Sequence, residues 1–344
     1  MKTLYRQLCS RQLVSMLIFT GVILLFFIVI GKPPFVMLWS MLKFSMGDMF
    51  SLSETLGKMT PILFCALAVI LPARLGLISV GGEGQLYVGA LTGTWMVLQF
   101  PDAGLWLLPA MLMAGAFGGV LWGGLPGVLK AWIGVHETIS TLLLNYVGVL
   151  LVRHLVYGPW KAASSQGWPA TMDFPPNAVL PKFEHTQIHL GLLIAVLTAV
   201  VLHILLDKSR WGLALKILRD NPAIAPLTGL RPSRQILLVM CLGGLFAGVG
   251  GICEVSAIQG RLQPTISNGY GLAGFLVAWL AAQKPLRAIV VAFLFGALLA
   301  AADALQMFAH VPAASAVVLQ AIIFLTALVL AQWRNLGSWI KWKK

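Results

Sequence analysis

Arg234–Ser256 reads RQILLVMCLGGLFAGVGGICEVS, and this stretch decides the class of fold. Its charges, Arg234 and Glu254, stand near its ends, and between them only Gln235 is strongly polar. A bilayer core is crossed by about 20 such residues, each rising about 1.5 Å along a helix. Composition agrees with that reading. Of 344 residues, 59% are apolar and 10% charged, against roughly 45–50% and about 25% in soluble domains. So few charges cannot cover a water-facing surface. The solvent of this chain is mostly lipid.

Further apolar runs fall on both sides of it. Together they predict ten spans, near 12–30, 54–76, 83–100, 105–129, 137–157, 188–206, 234–256, 270–283, 286–307 and 314–332. The second contains Pro61 and Pro72, and the eighth is short. The run 33–50 carries Lys43 and Asp48 and reads as interfacial or re-entrant. The first follows Lys2, Arg6 and Arg11, is too long for a signal-peptide core, and is expected to remain as an uncleaved span. The 35 glycines and 18 prolines argue against a simple bundle, because they break membrane helices or let them pack closely.

The net charge of +13 is a matter of topology. With the N-terminus inside, most of the 24 basic residues face the cytosol. Lys32, Lys43, Lys58, Arg153, Lys161, Lys182 and Arg261 fall outside. Both termini are then cytosolic, and nucleic acid is not needed to explain the charge. Residues 158–187 become an external loop and 207–233 a cytosolic segment. The basic tail 333–344, WRNLGSWIKWKK, sets Trp339 and Trp342 among lysines, as a membrane-surface anchor does. The whole chain, 1–344, reads as one transmembrane domain, with halves at 12–157 and 188–332.

The junction Ser79-Val80-Gly81-Gly82-Glu83-Gly84 and the junction Ser267-Asn268-Gly269-Tyr270-Gly271 both follow a long span and point in opposite directions. Such pairs mark inverted repeats with broken helices beside a substrate path; turn glycines without that meaning are the alternative. The polar residues inside spans are the pathway candidates, since an intramembrane charge costs at least roughly 2.5–3.5 kcal/mol. Glu83 either lines the path or merely complements the start of its helix. Glu137, Thr141 and Asn145 repeat at i, i+4, i+8 on one helix face, as interhelical glue or as the lining of a passage. Glu254 is a pathway residue or the partner of Arg261, and Asp303, Gln306 and His310 share a helix side.

Other chemistries are excluded. GxxxxGK[ST], HExxH and GxSxG do not occur, so no P-loop, metalloprotease or esterase reading stands. Periodic voltage-sensing arginines and a TVGYG-like filter are also missing. Cys9, Cys65, Cys241 and Cys253 form no CxxC pair, and the histidines offer no third ligand near His185 and His189, so neither metal nor cofactor is expected. Transport remains, and uphill transport needs a coupled ion or a motor. In the cytosolic segment, Trp211–Arg219 is amphipathic, and Asp220-Asn221-Pro222 starts a short Ala-rich helix closed at Thr228-Gly229. Either a motor pushes on this segment or it lies on lipid headgroups.

ISVGGEGQLYVGAL (78–91), ETISTLLLNY (137–146), LRDNPAIAPLTGL (218–230) and GLFAGVGGICEVSAIQGRLQPTISNGYG (244–271), in this order, resemble the permease subunits of bacterial ABC importers of the branched-chain amino acid, ribose and nucleoside type. The GxEGQ and E-x-I-S-T-L-x-x-N-Y patterns are most similar to the nucleoside and simple-sugar permeases. Ser79, His136 and Pro226 depart from the family pattern. The resemblance implies an all-α polytopic membrane protein of about ten transmembrane helices with inverted-repeat halves, in the bacterial inner membrane. It implies cytosolic ABC ATPase subunits, a second permease (like or paralogous) and an extracytoplasmic substrate-binding protein as partners. Glu83, Asn145 and Glu254 fall in its motifs. Gly212, Arg219, Asp220, Asn221, Pro222 and Gly229 fall on its ATPase-contacting loop. The expected cargo is a small neutral solute moved by alternating access, nucleosides first and ribose-like sugars as the alternative. A stand-alone secondary transporter or channel is the reading from a different class.

Overall fold

The computed structural model describes residues 2–163, 165, 167–184, 186–221, 225, 229–308 and 312–339. Among them stand twelve α-helices and no strand. Six helical stretches are long and apolar enough to cross a membrane: Met49–Arg74, Gly104–Ile133, Glu137–Tyr157, Leu190–Lys208, Pro232–Gln259 and Pro285–Met307. A seventh is the bent pair Leu17–Val29 with Pro34–Met46. The runs at 83–100 and 270–283 form α4 (Gly82–Gln99) and α10 (Tyr270–Leu280). The first is interrupted by glycine and polar residues, and the second is short. Of α12 (Ala313–Trp339), Val317–Val329 is the apolar part.

The chain divides into two compact units, Met1–Thr55 with Gly296–Lys344, and Leu56–Phe295. In the first unit, α1 (Lys2–Val29) and α2 (Pro34–Met46) bend by 114° at Gly31-Lys32-Pro33. Gly31 takes φ +73°, and Pro34 opens α2, where its missing N–H costs nothing. This is the run read as interfacial or re-entrant. Phe27, Met37, Met41, Leu305 and Leu319 share a buried cluster there.

The second unit is built around α3 (Met49–Arg74), α4, α5 (Leu107–Val128) and α9 (Pro232–Glu254). Residues Ile62–Leu71 of α3 are at most 3% exposed, so this helix is enclosed on all sides. Pro61 and Pro72 do not interrupt it. Glycine decides the packing of the other three. Gly115, Gly119 and Gly123 of α5 recur every fourth residue against Gly244 and Gly248 of α9. A Cβ on Gly119 would overlap the carbonyl oxygen of Gly244, and one on Gly244 would overlap that of Gly119. On Gly89 of α4, a Cβ would overlap Gly248. Backbones meet here without intervening side chains, the small-residue packing that lipid favours.

Two π-helical turns end in the same way. Leu129–Ile133 after α5 stops at Gly134 (φ +78°), and Val255–Gln259 after α9 stops at Gly260 (φ +66°). Only glycine adopts that conformation freely, so each long helix is released there into a turn. The remaining helices of this unit are α6 (Glu137–Tyr157), α7 (Leu190–Lys208), α8 (Arg210–Asp220) and the start of α11 (Pro285–Phe308).

Replacing Gly119 by alanine is expected to cost about 1–3 kcal/mol by overpacking. Gly21 of α1 has open space around it and serves as the control. Thermal melting of the purified chain in detergent should fall by several degrees for Gly119→Ala and stay put for Gly21→Ala. Equal melting of the two would refute the close crossing.

Candidate functional site

The break between α3 and α4 is a non-helical segment, Ile78–Val80, between the last backbone bond of α3 at Leu77 and the first of α4 at Gly81. In a membrane its backbone groups must be satisfied from elsewhere. The polar face of α6 does this. Glu137 Oε1 accepts from the Ile78 N–H at 3.3 Å, and Thr138 donates to the Ile78 carbonyl at 3.1 Å. Thr141 Oγ1 accepts from Val80 N–H at 3.2 Å. Asn145 Nδ2 donates to the Val80 carbonyl at 2.8 Å, and its Oδ1 accepts from Gly84 N–H at 2.8 Å. The i, i+4, i+8 spacing thus matches a helix face to a run of non-helical backbone. Lys130, from the π-turn before α6, pairs with Glu137 Oε2 at 2.8 Å.

Beyond this ladder, α4 and α10 meet N-terminus to N-terminus. Glu83, in the first turn of α4, accepts from Gly271 N–H through Oε2 at 2.6 Å. Ser267 also hydrogen-bonds Glu83, while its Oγ accepts from Gly269 N–H at 3.0 Å and Tyr270 N–H at 2.7 Å. Tyr87, one turn after Glu83, accepts from Ser267 N–H through its hydroxyl at 3.4 Å. A Cβ on Gly271 would overlap the Glu83 backbone, so the approach requires glycine. Two positive helix ends converge here, and one carboxylate stands between them.

Towards α8, a Cβ on Gly76 (φ +83°) would stand 3.0 Å from Arg219 Cγ, so Arg219 lies over the turn that precedes the non-helical segment. Arg219 Nε pairs with Asp220 at 3.1 Å, Arg74 with Asp207 at 2.5 Å, and His203 with Asp207 at 2.9 Å. Gly212 is buried, its N–H bonded to Ser209 Oγ at 3.2 Å, and a Cβ there would overlap the Leu206 carbonyl oxygen. Asn221 closes α8 through its N–H to the Ile217 carbonyl at 2.9 Å, and Gly229 takes φ +67°. Pro222, Pro226 and most of the Ala-rich helix expected after Asn221 lie outside the described residues.

At the opposite end of the unit, residues 171–180 of the 158–187 loop lie along the turn after α9. Thr171 N–H donates to the Leu262 carbonyl at 3.0 Å, and Phe174 N–H to that of Gly260 at 2.8 Å. Ser256 accepts from Leu180 N–H at 3.0 Å and donates to the Ala178 carbonyl at 2.6 Å.

Glu254 is buried at 4% exposure at the end of α9. The expected pairing with Arg261 is not made. Arg261 instead faces Asp173 at 3.4 Å, because the αL turn at Gly260 carries it off the helix axis, and the cations acting on Glu254 are Lys58 and Lys182. Asp303 and Gln306 stand on α11 within the other unit, Gly296–Lys344 with Met1–Thr55. His310 and His185 lie outside the described residues, as does Trp342. Among the described residues no group of three His, Cys, Asp or Glu is placed to hold a metal.

Sequence reading missed Lys130, Thr138, Ser267 and Tyr87 as members of this network. Lys130 read only as a topology marker. The recurrence of Ile-Ser-x-Gly at 78–81 and 266–269 was the available signal for Ser267.

A family model described as "Branched-chain amino acid transport system / permease component" matches residues 51–328. The chain is 31% identical to the glucose ABC transporter permease protein TsgB13 of Haloferax volcanii, over 82% of this chain and 77% of that protein. It is 27% identical to the nucleoside ABC transporter permease protein NupB of Lactococcus lactis, over 83% and 81%. It is 29% identical to the guanosine ABC transporter permease protein NupP of Bacillus subtilis, over 81% of each.

Removing the Asn145 amide leaves Gly84 N–H and the Val80 carbonyl unpaired, at about 1–3 kcal/mol for each buried group. Asn145→Ala should therefore melt well below the parent chain, and Asn145→Asp, which keeps the acceptor for Gly84, should fall between them. Identical melting of all three would show that the ladder does not hold the break.

Proposed function

The chain belongs to the branched-chain amino acid transport system permease family, and from that premise we propose that it imports nucleosides as the membrane subunit of an ATP-driven transporter. It is a transport component of the nucleoside and sugar type, not an enzyme. The observation that carries the nucleoside reading is the match, over most of their length, to relatives named for nucleosides and guanosine. The polar face of α6, which spends its hydrogen bonds on the backbone of 78–84, supports it further. A passage along such a face presents few free charges and suits a neutral, hydrogen-bonding solute better than an ion. The glucose relative favours simple sugars as the second reading.

In this reading the chain crosses the bacterial inner membrane about ten times, with both termini cytosolic. The junctions at 79–84 and 267–271 belong to inverted halves. Glu83, Asn145 and Glu254 border the passage, most of them by fixing its walls. Two cytosolic ATPase subunits complete the importer, and one of them grips 207–233 through Gly212, Arg219, Asp220, Asn221, Pro222 and Gly229. A second permease, like or paralogous, completes the pore, and a binding protein delivers solute to the opposite face. Closure of the ATPases moves α8, Arg219 presses on the Gly76 turn, and the non-helical segment shifts against α10. Alternating access follows from that shift.

Cells producing the complete importer should take up labelled guanosine, and excess unlabelled nucleosides should compete at least tenfold better than ribose or glucose. Preferential competition by the sugars would overturn the nucleoside reading. Gly229→Arg should abolish uptake while leaving membrane insertion intact; undiminished uptake would remove 207–233 from the coupling role.

A further inference from the structure

Beside the N-terminal end of α9 lies a feature that the proposed solute passage does not include. A cavity of about 610 Å³ lies between the π-turn after α5 and the start of α9, lined by Trp132, Leu230, Arg231, Pro232 and Arg234. That volume lies within the usual range of small-molecule sites, about 300–1,000 Å³. No carboxylate lines it among the described residues, so two guanidinium groups share it without a counter-charge. The start of α9 has no capping side chain, which adds positive potential to the same place.

One wall continues into an apolar track. Phe117, Leu121, Leu125, Val128 and Trp132 follow one another at three- and four-residue spacing along α5, and all are exposed, from 42% at Val128 to 60% at Phe117. The track spans about 22 Å at about 1.5 Å per residue. One leaflet of a bilayer core is about 15 Å deep. The stripe therefore accompanies an acyl chain through a leaflet and ends at the two arginines, with Trp132 at the level where headgroups begin.

We propose that this cavity is a binding site for an anionic phospholipid, whose headgroup phosphate sits between Arg231 and Arg234 and whose acyl chain lies along the α5 stripe. Arginine matches phosphate oxygens in planar, two-point fashion, which makes the pair selective for phosphate. Basic pockets between membrane helices bind such headgroups in general. Arg231 belongs to the 207–233 segment given above to the ATPases, whereas Arg234 and the α5 stripe lie outside it; the inference is independent of the solute.

The test is native mass spectrometry of the full-length chain, released from detergent with added phosphatidylglycerol or phosphatidylcholine of the same acyl chains. The parent chain should retain the anionic lipid at least tenfold better. Arg231→Gln with Arg234→Gln should remove most of that preference, while Arg231→Lys with Arg234→Lys, which keeps the charge, should retain a substantial part of it. Unchanged melting of the glutamine variant would separate lost binding from lost folding. Equal retention of the two lipids by the parent chain overturns the proposal. So does an undiminished preference in the glutamine variant, including the case where that variant loses a co-purifying ATPase instead, which makes the cavity a protein-docking site. Displacement of the lipid by millimolar glycerol phosphate, with no effect of Leu125→Gln, would reassign the cavity to free phosphate and also overturn it.

Discussion

Two helices that point their N-termini at each other inside a membrane repel, each end carrying about half a positive charge. The approach of α4 to α10 is tolerable because the Glu83 carboxylate lies between them and accepts from Gly271 N–H at 2.6 Å. The dependence is mutual. An isolated carboxylate would be costly in lipid, and the two helix ends supply the positive field that keeps it there. The converging ends leave the non-helical segment before α4 and the loop before α10 unable to close in ordinary helix geometry. Their backbone polarity must be met by side chains.

That requirement explains the character of α6. Its Glu137, Thr141 and Asn145 are spaced for one face, and each takes a successive backbone group of residues 78–84. Their first task is to make a break in a membrane helix affordable, the glue that polar side chains supply between membrane helices. The glycine crossing of α5 and α9 does the complementary work. With no Cβ at Gly119 or Gly244, the backbones behind α4 pack in direct contact.

Two surface loops lie against the segments on either side of the junctions at 79–84 and 267–271. Arg219 of α8 lies over Gly76 on one side, and residues 171–180 bind the turn after α9 on the other. The pair of helix ends at Glu83 and Gly271 lies between these segments in the chain. Such an element carries coupling if it has two stable arrangements that both loops bias.

Composition and hydropathy alone determined that this is a helical membrane protein, since 10% charge cannot cover a surface in water. The sequence also marked where helices break, by the glycine-rich junctions at 79–84 and 267–271. The polar face of α6 was legible as a face, but its role was not, because spacing says which residues point together and never what they meet. Only tertiary structure decided that Asn145 spends both amide atoms on backbone, and that Arg261 turns towards Asp173 and away from Glu254. Only it brought Glu83 to a helix nearly two hundred residues later in the chain. Local sequence sets propensity, burial and period; partners distant in sequence are chosen by packing, where the closest backbones meet through residues that have no side chain to announce it.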